Sequence, residues 1–381
     1  MNEVAEAGAR VSPLAELHER LGARMFERDG WLLPASYGDA AAEYEAVREG
    51  GAGVIDFSSR GRVRVSGAEA VQFLNGLITN DVKTLAEGAW MTAAFPNVQG
   101  RLLAAARVLH RADGFLFDTE AATTERVFKT LERFTLAGDF KVADETGETA
   151  LLSVQGARAA RVIATALGGE AMTVERGRIN TISWKENPVS VIRATMTGED
   201  GFDIFVGSQS ASSLFEALIE AGARAVGFEA LETLRVEAGL PAHGRDMDET
   251  NVVLETGLDE AVSYTKGCYV GQEIIARIHW RGHVAKRLAG LRLEDGRQIQ
   301  REAKVRSTDG KEIGRLTSVV FSPRLQATIA LAYLKYDYLS PGTQVLVGAG
   351  EVEERAATVV MLPFVRGSWF EGETMRAETR P

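Results

Sequence analysis

Tyr264-Thr265-Lys266-Gly267-Cys268-Tyr269-Val270-Gly271-Gln272-Glu273, continued by Ile274-Ile275-Ala276-Arg277, is the densest concentration of chemistry in the chain and holds its single cysteine. Gly267 and Gly271 allow tight or positive-φ backbone and close approach of a ligand, with a lysine, a thiol, a phenol, an amide, a carboxylate and a guanidinium crowded around them. The thiol admits two readings. Near the ammonium of Lys266, an accessible Cys268 would have its thiolate favoured and act as a nucleophile or redox group. An isolated free cysteine is otherwise among the most buried residue types and inert.

Composition sets the frame for this stretch. With 381 residues, 45% hydrophobic and 25% charged, the chain is long enough for two or three domains with full cores. A formal charge of −10 disfavours non-specific binding to DNA or to an anionic membrane. One cysteine forms no intrachain disulfide, and no paired Cys/His spacing suggests zinc, so no metal site is expected. The acidic start, Asn2-Glu3-Val4-Ala5-Glu6, lacks the basic and apolar regions of a secretory signal, and no apolar run reaches a membrane span; a cytoplasmic location is expected.

Periodicity supplies the elements. Ser12-Pro13 followed by Leu14, Leu17, Leu21 and Met25 predicts a helix ended by Gly30. Val54 to Phe57 and the alternating Arg62 to Val65 predict strands, and Ser66-x-x-Glu69 a capping box for a helix carrying Val71, Leu74 and Leu77. Trp90 to Phe95 and Leu102 to Leu109, joined by Pro96 to Arg101, predict a hairpin. Helices are expected at Thr123 to Phe134, Ala157 to Leu167, Ser212 to Ala221 and around Phe228 to Ala238, and strands at Val191 to Ala194 and Phe202 to Val206. From Lys286 onward, short β-like runs separated by Gly, Asp and Pro suggest a small all-β barrel or sandwich, and Thr374 to Pro381 a loose tail. Short strands and amphipathic helices in mixed order argue α+β rather than a doubly wound sheet.

Lys-Gly-Cys-Tyr-x-Gly-Gln-Glu followed by Ala-Arg resembles the signature of the YgfZ-type folate-binding proteins, relatives of the glycine-cleavage T protein, an aminomethyltransferase. Further blocks resemble the superfamily in order: Gly53 to Ser58, Val65 to Ala70, Thr197 to Asp203 and Leu234 to Leu240, with Ser322-Pro323 and Ile329 to Tyr333 similar to its C-terminal barrel. The resemblance implies an α+β, three-domain T-protein-like fold with mixed α/β N-terminal and central domains and a C-terminal small β-barrel. Its divisions would be a helical lead-in over 1–49, interleaved folate-binding domains over 50–284, the barrel over 285–366 and a tail over 367–381. It implies a tetrahydrofolate-binding accessory protein that supports assembly or repair of iron–sulfur enzymes, with a link to tRNA modification, and partners among iron–sulfur enzymes or assembly proteins. Two alternatives stand beside it: an aminomethyltransferase of the glycine cleavage system, and a non-catalytic folate-binding regulator.

The same resemblance places the site. Asp203 falls where the superfamily has an acidic residue that accepts hydrogen bonds from the pterin's aminopyrimidine edge, one methylene shorter than the T protein's glutamate. Taken alone, Asp203 reads as the outward residue of an alternating strand. Arg235 falls where the superfamily has an arginine near the folate; by spacing alone it reads as an i,i+3 partner of Glu232. Lys266, Gly267, Cys268, Tyr269, Gly271, Gln272, Glu273 and Arg277 form the signature loop, with Cys268 its candidate catalytic group. The block Asn97 to Ala105 departs from the aminomethyltransferase pattern, because Ala104 and Ala105 stand at its two acidic positions, and Met196 stands where the T protein usually has tyrosine. A carboxylate from elsewhere, such as Glu273, is the candidate replacement. Arg281-Gly282 argues against a helix that would bring His279 and His283 together as metal ligands, so these residues are expected at a basic rim of the folate cavity or on a solvated face.

Overall fold

The computed structural model describes residues 8–293, 299–348 and 354–371; the tail expected over 374–381 lies outside these. Two compact units form from interleaved segments. The first comprises Met1–Gly61, Glu145–Ala194 and Asp200–Leu231; the second comprises Arg62–Asp144, Thr195–Glu199 and Glu232–Pro381.

In the first unit a six-stranded sheet is built in the order Ile179–Trp184, Asn187–Arg193, Gly201–Gly207, Thr149–Gln155, Gly53–Asp56, Arg224–Ala225. Helices Ala159–Leu167 and Ala211–Glu220 put Val162, Ile163, Leu214 and Leu218 against its Val54, Leu152, Phe202 and Ile204. The period of two in strand Gly201–Gly207 therefore sends Phe202, Ile204 and Val206 into this core and Asp203 to the opposite face.

A three-stranded sheet, Arg10–Val11, Trp31–Ser36 and Arg24–Arg28, occupies the region expected to be one helix. The helix there is only Ala15–Arg20. Asp29 (φ 52°) and Gly30 (φ 74°) form a two-residue hairpin turn, placing Arg28 opposite Trp31. Such a turn needs positive φ at both central residues, which Asp-Gly supplies, and this local signal overrides the helical spacing of Met25. Behind it lies a buried polar chain. Tyr37 Oη donates to His18 Nδ1 (2.9 Å), and His18 Nε2 donates to Asp56 Oδ2 (2.9 Å). Ser12 Oγ and the Ser58 amide also donate to Asp56. Burial works to raise the Asp56 carboxyl, but the bonds from His18, Ser12 and Ser58 outweigh it and hold the group below its ordinary value.

The second unit opens with a five-stranded sheet in the order Ala89–Pro96, Leu102–Arg111, Gly114–Thr119, Gly61–Ser66, Lys141–Asp144. The expected hairpin is its first pair. The expected capping box does not form: helix Ala70–Leu77 has Glu69 as its N-cap with no side-chain cap bond, and the Glu69 carboxylate instead accepts from the Asp139 amide at 2.8 Å. Strands Lys286–Leu293, Lys304–Ser307, Glu312–Ser322, Ala327–Lys335, Gln344–Gly348 and Arg355–Val360 close into a barrel, the last of them adding to the five runs legible in the sequence. Mixed α/β domains with a closed C-terminal barrel are the architecture the sequence led us to expect. No helix among the described residues is long and apolar enough to cross a membrane.

Candidate functional site

Asp203 belongs to the first unit, while Arg235 and the signature loop belong to the second. On its strand, Asp203 pairs in register with Ser153 on one side and Ile192 on the other, and it is fully buried. It is thus not an outward, solvated residue. Ser153 and Gln155 continue a polar line on the same face, with Gln155 Nε2 donating to Ser153 Oγ (2.9 Å) and to the Ala194 carbonyl (3.1 Å). Opposite Gln155 stands Gly201, where a Cβ would come within 2.2 Å of Gln155 Nε2, so only glycine lets this line pass. A carboxylate in so dry a position interacts strongly with any donor it meets.

Arg235, on helix Phe228–Glu237, is also buried. Its Nε donates to Glu232 Oε2 (2.8 Å). Nη1 donates to Asp246 Oδ2 (2.7 Å) and the Leu240 carbonyl (3.0 Å), and Nη2 to Glu232 Oε1 (2.5 Å) and Ser318 Oγ (2.7 Å). All the N–H donors of the guanidinium are thereby used, none remaining for a ligand carboxylate. Burial alone would make Arg235 easier to deprotonate; Asp246 and Glu232 outweigh it and hold the charge more firmly. Strand Glu312–Ser322 joins through a register shift between Leu316 and Ser318, which turns neighbours Thr317 and Ser318 to one network. Thr317 Oγ1 donates to Asp246 Oδ1 at 2.6 Å. Through these bonds Arg235 braces helix, loop and barrel. Glu232, the partner suggested by spacing, is one of several acceptors, and the sequence carried no signal for Asp246 or Ser318.

The signature loop is latched by its backbone along residues 76–80. The Val270 amide donates to the Gly76 carbonyl (3.0 Å), and Ser263 to that of Thr79 (3.0 Å). Lys266 is buried, its Nζ donating to the carbonyls of Ile78 (2.9 Å) and Asn80 (2.6 Å) and lying 5.1 Å from the centroid of the Tyr269 ring. Desolvation, opposed by Asp81, lowers its pKa to about 8. The ammonium is thus turned inward, whereas Cys268 is exposed. This removes the inert, buried reading of the thiol and also its expected pairing with Lys266.

The two signature glycines differ. Gly267 has open space around it and no positive φ, whereas Gly271 (φ 77°) caps helix Gln272–Arg281 at the tip of the Asn97–Arg101 turn, where a Cβ would stand 2.3 Å from the Asn97 carbonyl oxygen. Gln272 lies in the first turn of that helix, its amide donating to the Tyr269 carbonyl (3.2 Å). Glu273 is exposed and paired with Arg277 at 2.8 Å, which withdraws it as a substitute acid in a dry pocket. The helix includes His279 and Arg281, contrary to expectation; His279 stacks on Tyr264 and His283, beyond the helix, on Tyr336.

On strand Leu102–Arg111 the two alanines face opposite ways. Ala104 is buried in the core with Phe95 and Phe117, and Ala105 packs beside Tyr269 and Ile275 of the signature region. Position 105, not 104, is the side of the strand from which an acid would reach the signature loop.

The chain belongs to the glycine-cleavage T-protein family: residues 14–266 match the GCVT N-terminal domain and residues 286–366 the glycine cleavage T-protein C-terminal barrel domain. An aminomethyltransferase of Rubrobacter xylanophilus is 37% identical over 96% of this chain and 97% of its own length. That of Thermus thermophilus is 33% identical over 93% and 99%. The crystal structure of glycine cleavage system aminomethyltransferase T from Bartonella henselae superposes with a TM-score of 0.86 at 27% identity, covering 94% of this chain and 98% of that one. These relatives overturn the expectation of an iron–sulfur accessory protein with tRNA-modification links. A ten-residue signature pointed that way, whereas similarity over nearly the whole chain runs to proteins named aminomethyltransferase.

Gly271→Ala combines the left-handed backbone penalty with a steric clash and should cost at least about 2 kcal/mol, while Gly267→Ala should stay within about 0.5 kcal/mol. Urea unfolding of both variants checks the contrast. Because the folded pKa of Lys266 lies below its ordinary 10.5, the unfolded chain binds more protons between about 8 and 10.5, and stability should rise with pH across that window. Lys266→Met removes this titration, so the stability difference between wild type and variant should shift toward wild type from pH 7.5 to pH 10.

Proposed function

We propose that this chain is a tetrahydrofolate-dependent aminomethyltransferase-type protein, with Asp203 as its pterin-recognising carboxylate. The observation that carries the reading is the burial of Asp203, at the superfamily's acidic position, in a chain whose relatives over nearly its full length are named aminomethyltransferase. The fit is chemical: the two oxygens of a desolvated carboxylate can accept two hydrogen bonds and suit the paired donors of an aminopyrimidine edge. Tetrahydrofolate, when bound, supplies the nitrogens that accept a one-carbon unit. Asp203 would orient it, and the dry strand face would exclude water from that contact. Cys268 enters as the exposed thiol at which a carrier bearing the aminomethyl group would arrive. A cytoplasmic setting, with no direct DNA binding and no membrane partner, belongs to the same reading.

A second reading is favoured by one observation, the alanines at 104 and 105. Without a carboxylate there, the proton transfer a placed acid provides, typically worth about 10² to 10⁴ in rate, is missing. Together with the YgfZ-like signature of residues 266–277, this favours a family member that binds folate without rapid transfer.

Aminomethyl transfer from a lipoyl carrier to tetrahydrofolate separates the two. Under the first reading wild type turns over slowly and Ala105→Asp raises kcat by at least about tenfold, the lower part of the range for a placed acid. No turnover by wild type or by Ala105→Asp, with folate still bound, selects the second reading.

A further inference from the structure

A group of cations on the outer face of the barrel has no part in the reading above. Along strand Ala327–Lys335, Ala330, Ala332 and Leu334 face the barrel core, whereas Ile329, Leu331 and Tyr333 face outward. Period two carries Lys335 to the Tyr333 side. In register, Lys286 stands directly opposite Lys335, and Arg315 directly opposite Tyr333. The four side chains therefore share one end of one face, and together with Glu312, Ile313 and Gly314 they line a groove of about 300 Å³. A second recess of about 400 Å³ adjoins it through Lys286 and Lys335.

Two features of this groove are unfavourable as they stand. Like charges directly opposite on antiparallel strands repel. The Tyr333 hydroxyl is buried and, among the described residues, has no hydrogen-bond partner. Burial, with Glu255, Asp246 and Asp248 nearby, holds that hydroxyl neutral, so it is a donor in want of an acceptor. The surrounding carboxylates already have donors. Asp246 serves Arg235 and Thr317, Asp248 serves Thr250, Glu255 accepts from the Val252 amide, and Glu312 pairs with Lys304. The cations retain donors: Lys335 Nζ gives one bond, to the Glu312 carbonyl (2.8 Å), Arg315 pairs with Glu302, and Lys286 lies 4.0 Å from Glu255 and 5.1 Å from the centroid of the Tyr333 ring.

We propose that this groove is a binding site for an oxyanion, the carboxylate or phosphate group of a small ligand, held by Lys286, Lys335 and Arg315 and by a hydrogen bond from the Tyr333 hydroxyl. One bound anion would relieve the lysine pair and satisfy the buried phenol together.

Calorimetric titration of the full chain with inorganic phosphate and, separately, with glutarate tests it. At least one probe should bind the wild type, and the stronger identifies the source as a phosphorylated or a carboxylated ligand. Lys286→Gln combined with Lys335→Gln should weaken that probe at least about tenfold, and Tyr333→Phe, which removes only the hydroxyl, about three- to tenfold. Binding of neither probe, or equal binding by wild type and both variants, overturns the proposal.

Discussion

A guanidinium taken out of water must find an acceptor for every N–H, and around Arg235 that requirement organises the second unit. Helix Phe228–Glu237 supplies Glu232, the following loop supplies the Leu240 carbonyl and Asp246, and a bulged barrel strand supplies Ser318 and, through Asp246, Thr317. Breaking a buried pair of this kind typically costs about 3 to 5 kcal/mol, because the surviving partner is left charged and dry. An arginine so fully bonded holds elements together and has no N–H left for a ligand. Asp203, in the first unit, is buried in equally dry surroundings.

The signature loop follows the same logic with backbone in place of charge. Its amides and Lys266 are bound to carbonyls of residues 76–80, and Gly271 lets its main chain touch the Asn97–Arg101 turn. The lysine and the second glycine of the motif are thus explained by latching, without reference to catalysis. What the latch leaves outward is Cys268, while the neighbouring Tyr269 is buried in the cluster against which Ala105 packs.

Much of this was legible before folding was considered. Runs with period two gave the hairpin of Ala89–Pro96 and Leu102–Arg111 and five barrel strands, and period 3.6 gave the long helices, because in each case one face is buried. Strand Thr149–Gln155 escaped notice: as a central strand buried on both faces, it reads as a run without alternation. The Asp29-Gly30 turn was obscured by leucines at helical spacing, and Ser66-x-x-Glu69 was defeated by Asp139, a partner distant in sequence. Of the site, Asp203 was placed by resemblance but its burial was not readable, and the bonds of Arg235 lie with residues up to 83 positions away. A short signature also proved a weaker guide to function than similarity spread along the chain.

The most direct test of the account is calorimetric titration of the purified chain with tetrahydrofolate, wild type against Asp203→Asn, a substitution that keeps the side chain's shape and removes its charge. The account predicts binding by the wild type that is weakened at least about tenfold in the variant, the loss expected when a charge-assisted contact becomes neutral. No binding by the wild type, or equal affinity in the two proteins, would contradict it.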